Sequence, residues 1–135
     1  MKKWLYGILC VVMVAVAALV LICFAPGDGI MTKKNGVYIV NTTTLSQNII
    51  GYNGTTPLKI YIKDDKIQEI EALPNEETPR FFEMVKANLL SKWNGMTVKQ
   101  AATAKVEAVT GATYSSNAVK ENVRLGVEYY QKHKK

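Results

Sequence analysis

Read by the spacing of its apolar positions, the chain divides at Pro26. Before it, residues 4–25 make up 22 consecutive positions without a charge, directly behind Lys2 and Lys3. As a helix rising 1.5 Å per residue, that run spans ~33 Å, enough to cross a bilayer core. A cleaved signal peptide also opens on basic residues, but its apolar core is about 7–15 residues long. Here the run is longer, and Pro26 directly follows the only small-residue exit, Cys23-Phe24-Ala25. A lipid-modified Cys23 would want small residues where Val20-Leu21-Ile22 stand. The pattern favours one uncleaved N-terminal transmembrane helix over residues 1–25.

Beyond Pro26 the periodicity becomes that of a small folded unit. Residues 26–36, PGDGIMTKKNG, read as a juxtamembrane linker, and VYIV at 37–40 as a first strand. Leu58, Ile60 and Ile62 alternate with Lys59, Tyr61 and Lys63, the period of a half-buried strand. Asp64-Asp65 supply a turn, residues 66–73 return, and Pro57 starts the strand where its missing N–H does least harm. Phe81, Phe82, Val85, Leu89 and Trp93 then recur at helical spacing, with Gly95 as the C-terminal cap. Residues 97–103 predict a short helix, 105–109 a strand, and 115–133 a long amphipathic helix. Its apolar stripe is Val119, Val123, Val127 and Tyr130, with Lys120, Arg124 and Glu128 off it. Gly126 within it costs ~1 kcal/mol relative to alanine, unless a neighbour must approach closely. These elements predict an α+β fold, a small antiparallel sheet with packed helices. The boundaries are an anchor at 1–25, a linker and first strand at 26–46, and the principal domain at 47–135.

Charge and composition narrow the possible functions. Lys2 and Lys3 favour a cytoplasmic N-terminus, although Lys33 and Lys34 lie on the other side of the apolar run. Long domains translocate largely regardless of charge, so the expectation is a single-pass protein of the cell membrane with its C-terminal domain outside the cytoplasm. Without Lys2 and Lys3, the 17 basic residues fall to 15 against 11 acidic, a net of +4. Much of that excess is the tail Lys132, Lys134 and Lys135, and a tail is not the basic stripe of a nucleic-acid binder. Attraction of the tail to anionic headgroups stands beside the plainer reading of a solvated terminus. Both cysteines, Cys10 and Cys23, lie in the apolar run, and His133 is the only histidine. The domain therefore has no disulfide, no cysteine-ligated cluster or haem, no histidine zinc site and no Ser-His-Asp set. Any redox chemistry must be carried by an organic cofactor.

Chemistry of that kind points to VTGATYSS, residues 109–116. As plain structure it is a turn, with Gly111 at positive φ and Ser115 or Ser116 capping the helix. As a site, free N–H groups and hydroxyls at a helix N-terminus attract an anion, and Gly111 and Ala112 leave the backbone bare beside Thr113. Spacing alone does not choose between the two.

The segment EAVTGATYSS resembles the flavinylation motif of the FMN-binding domain family. Members of that family include the C subunit of the sodium-translocating NADH:quinone reductase and the G subunit of the Rnf complex. Thr110, Gly111 and Ala112 match the motif, and the resemblance makes Thr113 the residue that carries FMN through a phosphoester. Glu107 stands where the motif has Asp, a position read by the flavin transferase. NEETPRFF is similar to the family's Glu-Thr-Pro element along the flavin ring. Glu77, Thr78 and Pro79 match it, whereas Arg80, Phe81 and Phe82 replace the glycines. Together the likeness covers about residues 47–130.

The resemblance implies a membrane-anchored flavoprotein that relays electrons. Contacts to FMN are expected from Thr110, Gly111, Ala112, Tyr114, Ser115, Ser116, Glu77 and Thr78, and a Lys or Arg near the ring would favour the anionic reduced form. A neutral threonine is a weak nucleophile, and no histidine is near. A base and Mg²⁺ would come from a separate FMN transferase with FAD as donor. The other expected partners are a membrane electron-donor complex and the lipid bilayer, with no nucleic acid. Two alternatives remain: non-covalent FMN, because of Glu107, or a flavin-free tethered module that uses TTTLSQ at 42–47 or the hairpin face.

Overall fold

The computed structural model describes residues 29–135, so the predicted anchor lies outside the described residues. Among the described residues no helix is long and apolar enough to cross a membrane.

Two tight hairpins build the sheet. β1 (Met31–Lys34) pairs antiparallel with β2 (Val37–Asn41), and β3 (Leu58–Lys63) with β4 (Lys66–Ala72). β2 also pairs with β3, giving the order β1-β2-β3-β4. Both turns place two successive residues at positive φ, Asn35 and Gly36 at 53° and 79°, Asp64 and Asp65 at 52° and 59°. This is the primed geometry whose twist suits a two-residue hairpin, and Asn and Asp tolerate it best after glycine. β1 thus occupies residues assigned by composition to a linker. The overlooked signal was the Asn35-Gly36 pair, a strong hairpin dipeptide.

In β3 the predicted alternation holds, with Leu58, Ile60 and Ile62 buried. β4 buries Ile67 and Ile70, three residues apart, because the register slips between Tyr61 and Ile62 and the irregularity accommodates one extra residue. The strand expected at 105–109 does not form. The outer side of β4 at Ile67 is already bonded to Gly95 N–H and the Met96 carbonyl, and Val109 is drawn into the next turn.

Among the described residues, three helices and a 3₁₀ turn follow the sheet: α1 (Pro79–Asn88), the turn Leu90–Trp93, α2 (Val98–Thr103) and α3 (Thr113–His133). α2 begins with a complete capping box between Thr97 and Gln100. α1 buries Phe82 and Val85, and the chain beyond it buries Leu89 and Trp93, while Gly95 takes φ 85°. Phe81 departs from that apolar series and is 42% exposed.

α3 lies on the sheet through Val119, Val123 and Val127. A Cβ on Gly126 would come within 2.6 Å of Ile60 Cδ1 and 3.0 Å of Thr42 Cγ2, so the helix can sit this close only with glycine there. Beside it, the fully buried Asn122 accepts from Thr42 Oγ1 at 2.6 Å and donates to the Ala118 carbonyl at 2.8 Å and Thr56 Oγ1 at 3.3 Å. Thr42 Oγ1 in turn accepts from Leu58 N–H at 2.9 Å. Thr42 and Ser46 of the TTTLSQ segment are therefore spent on internal bonds.

Candidate functional site

The end of the molecule at the start of α3 is built from three loops. Residues 109–112 make a tight turn in which the Ala112 N–H donates to the Val109 carbonyl at 3.0 Å. Gly111 takes φ 86°, the left-handed third position of a type II turn, with open space where a Cβ would be. α3 then begins at Thr113, with Ala112 at the N-cap and no side-chain cap. Its first backbone bond runs from Ser116 N–H to the Ala112 carbonyl. The N–H groups of Thr113, Tyr114 and Ser115 have no hydrogen-bond partner among the described residues.

The serines expected as caps lie inside the first helical turn and do other work. Ser116 Oγ accepts from Val109 N–H at 3.0 Å and holds the turn shut, and Ser115 Oγ donates to Glu77 Oε1 at 2.7 Å. That carboxylate is 4% exposed and organises the neighbouring loop. Its Oε1 accepts from Tyr52 N–H at 2.7 Å and its Oε2 from Asn53 N–H at 2.5 Å. Burial pushes the Glu77 carboxyl up, but the bonds from Ser115 and the backbone of Asn53, Tyr52 and Gly54 outweigh it and leave the group below its ordinary range. Gly51 makes the approach possible, since a Cβ there would stand 2.0 Å from Glu77 Oε1. Sequence reasoning took Gly51 and Gly54 only as breakers in a polar stretch and passed over Tyr52 and Asn53, although two glycines bracketing a tyrosine and an asparagine were a legible sign of a built loop.

Between these loops lies a cleft of ≈ 370 Å³ lined by Tyr52, Thr78, Phe81 and residues 111–115. Tyr52 and Tyr114 are each 68% exposed, with ring centroids 6.2 Å apart and planes tilted by 40°. Of the residues predicted for the site, Gly111, Ala112, Thr113, Tyr114, Ser115 and Thr78 line this cleft. Thr110 and Glu107 are exposed on the approach to the turn, Ser116 is buried beneath it, and Glu77 stands outside the lining, bonded to two of its walls. Thr78 Oγ1 accepts from Asn53 Nδ2 at 3.2 Å. No charged side chain, and hence no Lys or Arg, is among the lining residues.

Aromatic faces set apart by bare backbone suit a planar ring, and unpaired N–H groups at the start of a 21-residue helix suit a phosphate. The site thus offers what a flat, phosphorylated ligand requires, aromatic faces beside a helix N-terminus. A family model described as the FMN-binding domain matches residues 51–128, and the chain belongs to that family. FMN is its cofactor, and the donor set fits it. No curated protein and no solved structure matches the chain.

Proposed function

We propose that this protein is a membrane-anchored, extracytoplasmic electron carrier whose FMN is phosphoester-linked to Thr113. The observation that carries the reading is the position of Thr113. It is the first residue of α3, exposed, in the cleft wall, and next to unpaired N–H groups and the bare Gly111-Ala112 backbone. Bound FMN supplies the redox chemistry, and the protein supplies position and electrostatics. Tyr52, Phe81 and Tyr114 offer the ring its contacts, while the first turn of α3 neutralises the phosphate.

For attachment, Thr113 Oγ takes the flavin phosphate from FAD. A new Oγ–P bond forms, the pyrophosphate P–O bond breaks, AMP leaves with the electron pair, and the hydroxyl proton passes to a base of the FMN transferase. The exposure of Glu107, Thr110 and Gly111 on the approach to Thr113 supports access by such an enzyme. Electrons would come from a membrane donor complex and leave to an acceptor outside the cytoplasm.

Co-expression with a flavin transferase tests the reading, using intact mass and in-gel flavin fluorescence. Wild type should gain the mass of FMN less water, and Thr113→Val should not. A yellow but unmodified wild type would place FMN in the cleft without the bond. A colourless wild type would sink the carrier reading.

A further inference from the structure

The pole of the molecule opposite the cleft is basic in a way that no single stretch of sequence displays. Both hairpin turns and the end of α3 meet there. Tyr38 Oη donates to the Lys135 carbonyl at 2.8 Å, and its ring packs edge-on against Tyr130 at 5.2 Å. Tyr130 Oη donates to Asp65 Oδ1 at 2.6 Å, and Lys134 pairs with the same carboxylate at 3.1 Å. These contacts gather Lys33 and Lys34, Lys63 and Lys66, and Lys132, Lys134 and Lys135, all exposed, from three distant segments. Lys63 and Lys66 even stand directly opposite each other across β3 and β4. At this pole the hairpin turns supply only Asp64 and Asp65 in return, and Asp65 is already engaged by Tyr130 and Lys134. Lys134 is the only one of the seven lysines in an ion pair among the described residues.

Resting on the membrane-anchored reading above, we infer that this lysine pole docks on the anionic surface of the bilayer and turns the flavin cleft away from it. Charge complementarity is the first argument. A lysine near such a surface favours the bound state roughly fivefold, so several together outweigh the freedom lost by the domain. Reach is the second. Lys33 is eight residues beyond the apolar run at 4–25, so even a fully extended chain keeps it within ~27 Å of the end of that run. The Debye length is ~8 Å at physiological salt, so binding requires the pole to face the headgroups closely. From His133 to Thr113, α3 extends ~30 Å, which sets the distance between the docked pole and the uncharged cleft. An electron acceptor then approaches from the aqueous side.

The test uses the full chain reconstituted in vesicles of phosphatidylcholine alone, or with about one-third phosphatidylglycerol. Lysines are labelled with a membrane-impermeant amine reagent and quantified by peptide mass spectrometry. On the anionic vesicles, labelling of Lys33, Lys63, Lys66 and Lys132 should fall at least about threefold and recover near 0.5 M salt. Lys105 and Lys120, nearer the cleft, should not change. A quadruple variant, Lys33→Gln with Lys63→Gln, Lys66→Gln and Lys132→Gln, should keep its circular dichroism spectrum and lose the protection at Lys34 and Lys135.

Equal labelling on both vesicle types, or protection at Lys105 instead, overturns the proposal. So does displacement of the pole by duplex DNA at equal phosphate concentration, which would assign it to nucleic acid. Flotation separates the underlying reading. A chain that floats with neutral vesicles in high salt is anchored whatever its lysines do. One that floats only with phosphatidylglycerol and is released by salt docks by its pole but has no anchor.

Discussion

At the scale of single residues, Glu77 decides more than its neighbours in the motif. It ties the Tyr52 loop to the first turn of α3, so the two tyrosines at the cleft owe their relative position to one buried carboxylate. Glu77→Gln keeps the size but turns an N–H donor toward N–H donors, and should cost about 1–3 kcal/mol in denaturant unfolding. It also removes the negative charge nearest the cleft. The flavin midpoint potential should therefore rise by about 30–60 mV in spectroelectrochemistry, because an anion beside the ring opposes reduction. An unchanged potential would show that the charge is screened from the flavin. Gly51→Ala should separate geometry from charge, since its Cβ must displace Glu77 Oε1. Flavin fluorescence should change in that variant through loss of Tyr52 placement while the carboxylate remains.

At the scale of elements, the packing of α3 on the sheet is the most exposed to change. Gly126→Ala improves helix propensity by ~1 kcal/mol, yet its methyl group must enter a space filled by Ile60 and Thr42. Ile60 is fully buried and Thr42 is held by its hydrogen bonds, so neither gives way freely. Overpacking should win, and the variant should lose about 1–2 kcal/mol by thermal or urea unfolding. Adding Ile60→Val should return part of that loss, since it removes the atom met first. Asn122→Ala strands the Thr42 hydroxyl against the core and should cost about 2–4 kcal/mol, with the cleft retained in whatever fraction stays folded.

At the scale of the whole molecule, acid sensitivity follows from the carboxylates held below their ordinary range. For Glu77 the sign is fixed by that depression. Its contribution to stability is complete above the unfolded value of ~4.3 and is lost as pH falls through the lower folded value. Glu121, half-buried and lowered by its bonds to Arg124, and Asp65, exposed and lowered by Tyr130 and then Lys134, act with the same sign but closer to solvent. The melting temperature should stay nearly level from pH 7 to about pH 5 and drop below about pH 4, with a shallower drop in Glu77→Gln. A parallel drop in both proteins would remove Glu77 from the account.

Local sequence, through periodicity and turn residues, determined the β3–β4 hairpin, the apolar stripe of α3, the α+β class and the turn at Gly111, because each depends on neighbours within a few residues. The cofactor family was legible for the same reason, its motifs being two short runs, one around Thr113 and one at Glu77-Thr78-Pro79. Tertiary structure alone decided what depends on residues far apart. It left 105–109 without a sheet edge. It turned Phe81 out to the cleft and took Ser115 from capping to hold Glu77. It also set lysines from three segments on one pole. A side chain's partner across 30 to 100 residues is fixed by packing, and local sequence carries no record of it.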